Sequence, residues 1–184
     1  MILPIYAYGQ PVLKKVCKEI DKEYEGLSEL IANMWETMYN AHGVGLAAPQ
    51  IGRDIRLFIV DTIQLQNEGE EHLGMKKVFI NAQIIEEHGR AWKYEEGCLS
   101  IPDVRGDVSR LPEIEIEYQD ENFNTYRETY TGMSARVIQH EYDHIDGILF
   151  TEKLMPLRKR RIKRSLERIK AGEIDAGYRM KFFQ

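Results

Sequence analysis

The spacing of hydrophobic residues predicts a first helix in the segment from Leu27 to His42. Apolar side chains recur there every three or four residues, which places them on one face of a helix. We expect Ser28 to be the N-cap and Gly43 to stop the helix. The apolar positions are Leu27, Leu30, Ile31, Met34, Trp35, Met38 and Ala41.

Two further helices are expected in the second half of the chain. One runs from Ala135 to about Ile145, and the other runs from Pro156 to Ala171. Proline suits the first turn of a helix and glycine suits its C-terminal end, so Pro156 near N1 and Gly172 at the C-cap bracket the last helix.

Four short segments between these helices have the pattern of β-strands. Glu113 to Tyr118 alternates strictly between apolar and acidic residues, as a strand with one solvated face should. An exposed polar excursion, Gln64 to Lys76, separates two of the others. The four segments are Ile55 to Val60, Val78 to Ile85, Glu113 to Tyr118 and Thr125 to Tyr130. Helices separated by antiparallel-looking strands predict an α+β fold.

Composition narrows the class of protein without assigning a function. The chain has 184 residues, of which 43% are hydrophobic and 30% charged, and this suits one globular domain over residues 1–184. The formal net charge of −5 argues against a protein that binds nucleic acid over its whole surface. No apolar run approaches the roughly 18 residues of a membrane span, so no membrane partner is expected. The first residues lack a basic leader, so no signal peptide is expected.

The cysteine count favours a reducing compartment. Cys17 and Cys98 are too few to form the disulfide framework of a secreted protein, so a cytoplasmic location is expected. Cys17 is most simply a small residue of the core.

The segment His140-Glu141-Tyr142-Asp143-His144 has the H-E-x-x-H pattern within the second predicted helix. Helical residues four apart are separated by about 40° around the axis and about 6 Å along it. Both imidazoles can therefore reach one divalent ion, and Glu141 lies beside them to accept a proton from water.

The third ligand distinguishes between classes of metal site. A metzincin endopeptidase would have histidine where this chain has Phe150. A thermolysin-like protease would use a downstream glutamate, but Glu167 and Glu173 lie on or after a strongly basic helix. The better candidate is Cys98, which follows Gly97 and is expected in a loop, although a lone cysteine is commonly just a buried thiol. Three protein ligands leave one position open for water, which is typical of catalytic sites.

A glycine-rich segment, Gly43 to Ala48, fits the dinucleotide fingerprint G-x-G-x-x-A, and Asp61 follows at a suitable distance. That fingerprint requires a strand before it and a helix after it, whereas here a helix precedes and Pro49-Gln50 follows. No nucleotide cofactor is therefore expected. The small residues instead favour close approach of a substrate backbone, with the amide of Gln50 aimed at a carbonyl oxygen.

Three segments together resemble the signature motifs of bacterial peptide deformylases in residue type, order and spacing. They are Gly43-Val44-Gly45-Leu46-Ala47-Ala48-Pro49-Gln50, Glu96-Gly97-Cys98-Leu99-Ser100 and Gln139-His140-Glu141-Tyr142-Asp143-His144. The resemblance extends over most of the chain. It implies antiparallel or mixed β-sheets packed around a central helix that carries H-E-x-x-H, with a further helix at the C-terminus.

The resemblance implies a hydrolase that removes the formyl group from the N-terminal formyl-methionine of new polypeptides. Glu141 would be the general base, while the Gln50 amide and the Leu99 N–H would stabilise charge on the formyl oxygen. The metal ligands would be Cys98, His140 and His144. The substrate would contact Val44, Gly45, Glu96, Gly97, Met133 and Val137, and the backbone at Gly45 and Gly97 would pair with the extended peptide.

The expected metal is Fe²⁺ in the cell, with Zn²⁺, Ni²⁺ or Co²⁺ able to substitute. The resemblance implies iron, whereas a thiolate with two imidazoles would by itself indicate zinc. An Fe²⁺–thiolate site should lose activity in air.

Three charged features lie outside the motifs. Arg136 stands where some relatives carry an aliphatic residue, which affects the shape of the methionine pocket. Arg110 and Asp143 are expected to pair, either to orient the ligand helix or as an ordinary salt bridge. The helix at 156–171 carries a concentrated basic face, which is either simply solvated or binds ribosomal RNA.

Two other classes of function compete with the hydrolase. A non-enzymatic metal-binding or nucleotide-binding module is disfavoured, because a structural zinc site has a fourth protein ligand and does not need Glu141. An endopeptidase is disfavoured by Phe150.

Overall fold

A computed structural model describes all residues, 1–184, and contains three α-helices. They are α1 (Leu27–Asn40), α2 (Gly132–Ile145) and α3 (Pro156–Lys170). The three predicted helices are confirmed, but the predictions of Ser28 as N-cap and of Gly172 as C-cap are wrong, because the C-cap of α3 is Ala171. Gly26, in the left-handed conformation at φ 73°, is the N-cap, and Ser28 lies inside the helix. Only a residue without a Cβ adopts that conformation at little cost, so the N-cap lies two residues earlier than the sequence predicted.

Helix α2 begins three residues earlier than predicted, directly after a strand. Gly132 has a positive φ of 60° and forms the turn from that strand into the helix. Glycine is a poor helix former, so the hydrophobic pattern predicted only the part from Ala135 onward.

Nine strands form three sheets. The strands are β1 (Ile5–Tyr6), β2 (Gly45–Ala47), β3 (Leu57–Asp61), β4 (Lys76–His88), β5 (Trp92–Cys98), β6 (Ile101–Arg110), β7 (Glu113–Gln119), β8 (Thr125–Thr131) and β9 (Met180–Lys181). Antiparallel pairing joins β2-β3-β4-β7-β8 into one sheet and β5-β6 into a hairpin. The short pair β1-β9 is parallel. The architecture is α+β, as predicted, with two antiparallel sheets and one short parallel pair.

Strand β3 of the five-stranded sheet is buried between two helices. Phe58 and Val60 of β3 face α2, where Val137 and Ile138 belong to the same core cluster. The alternate residues Leu57 and Ile59 face the apolar stripe of α1. Because successive strand residues point to opposite faces, β3 is apolar at every position between these two layers. Helix α2 therefore lies at the centre of the molecule.

A third core cluster joins the hairpin to the last helix and the N-terminal segment. It contains Val104 and Val108 of β6, Ile162 and Ile169 of α3, and Leu13. The two strands of this hairpin were not predicted. Strand β6 does alternate in burial, but Asp103, Gly106 and Asp107 obscure its strand character in the sequence.

The excursion between β3 and β4 lies on the surface, as predicted. It contains two 3₁₀ turns, Ile63–Leu65 and Glu71–Leu73, with no buried residue in either. Lys76, the last residue of the predicted excursion, is the first residue of β4.

None of the three α-helices combines the length and the apolar character needed to cross a bilayer.

Candidate metal centre

Helix α2 and hairpin β5-β6 bring one cysteine and two histidines together. His140 and His144 are one helical turn apart on α2, with their ring centroids separated by 5.2 Å. The Sγ atom of Cys98 lies 3.3 Å from Nε2 of His144. One potential ligand atom from each of the three residues lies within 4.8 Å of the other two. The geometry therefore gathers the three predicted ligands around one point.

Cys98 is the last residue of β5, and not part of a loop as expected. It pairs with Ile101, the first residue of β6, across a tight turn formed by Leu99 and Ser100. A register shift in the hairpin lies between Glu96 and Cys98. The charged and glycine-containing sequence concealed this strand, because such residues are uncommon in strands.

One ring nitrogen of His140, Nδ1, contacts a buried carboxylate. Nδ1 of His140 lies 3.0 Å from Oε1 of Glu96. The same carboxylate accepts two hydrogen bonds from Arg110, at 2.7 and 3.0 Å, and one from Arg136, at 2.5 Å. All of these side chains are buried or nearly so. The network fixes the His140 ring and leaves its other nitrogen free for a cation.

The predicted pair of Arg110 and Asp143 is present and extends the same network. Nη1 of Arg110 donates to Asp143 at 2.9 Å. Arg110 thus joins the carboxylate that holds His140 to a residue next to His144. The buried guanidinium of Arg110 on β6 therefore supports both predicted ligands of α2, His140 through Glu96 and His144 through its neighbour Asp143.

The buried carboxylates of this network lie beside positively charged groups, and these contacts shift the pKa values of its members. Burial alone would raise the pKa of Glu96, but hydrogen bonds from His140 and Arg110 outweigh it and hold that pKa far below its usual range. Burial likewise opposes protonation of His140, yet contacts with Cys98 and Glu96 raise its pKa well above the ordinary value. Burial and the neighbouring His140 lower the pKa of His144. The two imidazoles therefore have different electrostatic surroundings.

Glu141 lies against the glycine-rich segment in a buried position. A Cβ added to Gly45 would lie 2.7 Å from Oε1 of Glu141, so only glycine leaves room for this carboxylate. Oε2 of Glu141 has no hydrogen-bond partner among the protein atoms. Burial raises the pKa of Glu141 to about 7. A carboxyl group tuned near neutrality is suited to accept and return a proton.

Gln50 borders the same cleft as Glu141. It belongs to a 3₁₀ turn (Ala48–Ile51) after β2, and its Oε1 accepts the Ala47 N–H at 2.9 Å. That bond directs Nε2 toward the cysteine turn, where it donates to Ser100 Oγ at 3.1 Å and lies 3.4 Å from Cys98 Sγ. The contribution of Ser100 was not foreseen from the sequence.

A cleft of about 460 Å³ opens over these groups. All of the residues expected to act on or bind substrate line it, together with two of the three predicted metal ligands, whereas the third, His144, is buried and does not line it. They are Val44, Gly45, Gln50, Glu96, Gly97, Cys98, Leu99, Met133, Val137, His140 and Glu141. Further residues that line the cleft include Leu65 of the excursion and Tyr178 near the C-terminus, and neither was predicted from a sequence pattern.

Arg136 borders the cleft but is also part of the buried network. Besides Glu96, it donates to the carbonyl oxygens of Val108 (3.0 Å) and Trp92 (2.6 Å), and its guanidinium lies 4.2 Å from the Trp92 ring centroid. Its charged end therefore faces the hairpin. Phe150, which replaces the third histidine of a metzincin, packs 6.0 Å from the His140 ring centroid.

The donor set fits a divalent transition metal. A thiol and two imidazoles are the ligands that zinc and iron accept, and their separation allows all three to bind a single ion. Three protein ligands are one fewer than in a closed structural site.

Comparisons with known proteins agree with this geometry. A sequence model described as polypeptide deformylase matches residues 2–160. The chain is 58% identical to the peptide deformylase of Christiangramia forsetii over 99% of this chain and 96% of that protein. It is 51% identical to that of Cytophaga hutchinsonii over 99% and 98%.

Solved structures show the same likeness in three dimensions. The peptide deformylase of Thermus thermophilus superposes with a TM-score of 0.83 at 38% identity, covering 94% of this chain and 99% of that one. The enzyme from Legionella pneumophila gives 0.82 at 34% identity, with 94% and 98% coverage. The likeness thus includes the sheets and helices that position the site.

Proposed function

The chain belongs to the polypeptide deformylase family, and from that premise we propose how its residues perform the family's reaction. It is a metal-dependent hydrolase that removes the formyl group from the N-terminal formyl-methionine of newly made polypeptides and releases formate. We propose that Cys98, His140 and His144 bind the metal. The observation that carries this assignment is their convergence within 4.8 Å beside the buried Glu141.

We propose Fe²⁺ as the metal in the cell, with Zn²⁺, Ni²⁺ or Co²⁺ as functional substitutes. The cation would supply Lewis-acid chemistry, lowering the pKa of water and polarising the formyl oxygen. Thiolate oxidation would explain loss of activity in air. Anaerobic purification followed by metal analysis tests this assignment, and zinc alone in protein purified without oxygen would contradict it.

Glu141 is proposed as the general base and acid. Its carboxylate accepts a proton from the attacking water and returns it to the nitrogen that leaves the formyl carbon. Its raised pKa, about 7, allows both transfers near neutral pH. The close approach of Glu141 to Gly45 holds it over the region where an extended peptide would lie.

Gln50 and Leu99 are proposed to stabilise negative charge on the formyl oxygen. The Gln50 amide is held by Ala47 and Ser100, so its Nε2 is already oriented when substrate arrives. The Leu99 N–H lies in the turn that follows Cys98 and lines the same cleft. Preorganised donors of this kind stabilise a transition state without reorganising.

The substrate peptide is proposed to bind as an additional strand. Gly45 in β2 and Gly97 in β5 would pair with its backbone, since each lies on a strand that lines the cleft. Val44, Met133 and Val137 would contact the methionine side chain. Glu96 contributes to this wall mainly by holding His140, Arg110 and Arg136, because its carboxylate oxygens bond to those residues.

Residues 1–184 are proposed to act as one catalytic domain in the cytoplasm. Strand β9 near the C-terminus pairs with β1 near the N-terminus, so both ends belong to one packed unit. The two cysteines are free thiols, which suits a reducing compartment.

The basic face of α3, within 156–171, is proposed to contact ribosomal RNA where nascent chains emerge. Ile162 and Ile169 dock this helix on the core, and its Lys and Arg side chains remain exposed. Charge reversal of Arg160, Arg161 and Arg164 should reduce ribosome pull-down at low salt. Unchanged pull-down would contradict the proposal.

A formate-release assay on formyl-Met-Ala tests the function as a whole. The metal-loaded protein should release formate, and removal of the metal by a chelator should abolish release. A protein that binds one ion but releases no formate would instead be a non-enzymatic metal-binding module.

A further inference from the structure

The segment after α3 turns back toward the cleft and reaches the active site. Strand β9 adds to β1 through hydrogen bonds from Ile5 N–H to Arg179 O and from Ala7 N–H to Lys181 O, both 3.0 Å long. Phe182 packs against the third core cluster. The C-terminal segment is thus held by strand pairing and by packing of the residue that follows the strand. It lies beyond residues 2–160, the part of the chain that the family model matches.

Tyr178, two residues before β9, makes a direct contact with the cysteine turn. Its hydroxyl donates to the carbonyl oxygen of Leu99 at 2.5 Å. The ring lines the cleft and is half-buried. Leu99 directly follows Cys98, so this hydrogen bond acts on the residue next to a metal ligand.

The carbonyl oxygen of Ser100, the next residue of the same turn, also accepts a hydrogen bond from a residue outside the hairpin. The N–H of Tyr8, just after β1, donates to Ser100 O at 2.8 Å. Both carbonyl groups of the Leu99–Ser100 turn are therefore held by the paired terminal segments. Each carbonyl shares a peptide plane with the N–H of the following residue, so the Leu99 N–H, in the preceding plane, is restrained through the backbone dihedral angles of Leu99.

We propose that Tyr178 is a positioning residue for the deformylase reaction. Its hydroxyl orients the Leu99 residue so that the Leu99 N–H points at the formyl oxygen and Cys98 stays directed at the metal. This inference rests on the proposed role of Leu99. Small misplacements of such a donor have large kinetic effects, since catalytic geometry tolerates about 1 Å or less.

The test removes the hydroxyl and retains the ring. Tyr178→Phe should lower kcat by roughly three- to tenfold, the size expected for one neutral hydrogen bond, while KM stays within about twofold. The matched control is Tyr126→Phe, because Tyr126 also donates its hydroxyl, to Asp120 at 3.1 Å, but lies on β8 in the other sheet. The control should keep wild-type kcat and KM.

A second readout does not depend on turnover. In the cobalt-substituted protein, the thiolate-to-cobalt absorption band should shift in Tyr178→Phe and remain unchanged in Tyr126→Phe. Amide hydrogen exchange at Leu99 should become faster only in Tyr178→Phe. Both are measured at a temperature at which circular dichroism shows each variant folded.

The outcomes separate this inference from the proposed function. If the wild-type protein releases no formate, the proposed function fails and the role of Tyr178 fails with it. If the wild type is active and Tyr178→Phe matches it in kcat, cobalt spectrum and Leu99 exchange, only the inference is overturned. A lower unfolding temperature with unchanged kcat and spectrum would show a purely structural role and would also overturn it.

Discussion

The two walls of the metal centre are held in place by different means. The helix wall consists of His140, Glu141 and His144 on α2. A buried ion-pair network fixes it by joining this helix to strands β5 and β6. The turn wall, Cys98 to Ser100, is fixed by partners that come from Gln50 and from both ends of the chain. The residues of the helix wall are thus brought together by helical spacing and then fixed by ion pairs, whereas those of the turn wall are placed wholly by contacts with other parts of the chain.

The two walls also differ in the kind of interaction that stabilises them. Buried arginine and carboxylate groups stabilise the helix wall, whereas neutral hydrogen bonds to carbonyl, hydroxyl and amide groups hold the turn wall. Removing one partner from a buried ion pair leaves an uncompensated charge, which costs far more than losing a neutral hydrogen bond. Substitutions on the two walls should therefore differ in kind.

The largest expected effect is on the helix wall, at Glu141, the group proposed to move the proton. Glu141→Gln removes the base but keeps the size of the side chain, so kcat should fall on the order of a thousandfold. Metal content should stay at one ion per chain, measured by mass spectrometry of the metal. Retention of more than about a tenth of wild-type turnover would contradict the role of Glu141.

The next effect is at the edge of the turn wall. Gln50→Ala should lower kcat on the order of a hundredfold, because one donor to the formyl oxygen is lost. Gln66→Ala is the matched control, since Gln66 donates to Thr62 O in the excursion, outside the cleft. Wild-type turnover in Gln50→Ala, with metal bound, would exclude the oxyanion role.

Substitution of the buried Arg110 should have a smaller effect on activity but a large effect on stability. Arg110→Met removes two hydrogen bonds from Glu96 and one from Asp143, while Glu96 keeps its contacts with Arg136 and His140, so we expect a loss of about 2–3 kcal/mol in unfolding free energy. Metal affinity should weaken about 10- to 100-fold, because His140 and the helix lose their support. Urea unfolding and chelator competition measure the two changes, and unaltered metal affinity would argue for a purely structural pair.

The smallest effect should come from an arginine that pairs on the surface. Arg127 donates to Glu115 at 2.5 Å, but its side chain is 54% exposed, against 4% for Arg110. Arg127→Met should leave the unfolding midpoint and metal affinity unchanged, because exposed ion pairs contribute little. A change as large as that of Arg110→Met would show that burial does not set the difference.

The same contrast decides what could be predicted from the sequence. His140, Glu141 and His144 are close in sequence, and helical spacing alone places them together. The helices and the alternating strand Glu113–Gln119 follow from patterns of period 3.6 and 2. These are local properties, which is why they were predicted within a few residues.

The turn wall could be predicted only in part. The motif predicts Cys98 as a candidate ligand, but it does not predict the position of Cys98 at the end of β5, because Glu95, Glu96 and Gly97 obscure the strand. Tyr8 and Tyr178 were missed altogether. The strands β1 and β9, which place these residues, have two residues each and depend on pairing across almost the whole chain. Such contacts leave no periodic signal in the sequence.

X-ray absorption at the metal edge of the zinc-loaded protein tests the central claim most directly. The first coordination shell should contain one sulfur at about 2.3 Å and two imidazole nitrogens at about 2.0–2.1 Å, from one ion per chain. In Cys98→Ser the sulfur contribution should disappear, whereas Cys17→Ser should leave the spectrum unchanged. A wild-type shell without sulfur, or one with fewer than two imidazoles, would contradict a metal centre formed by Cys98, His140 and His144.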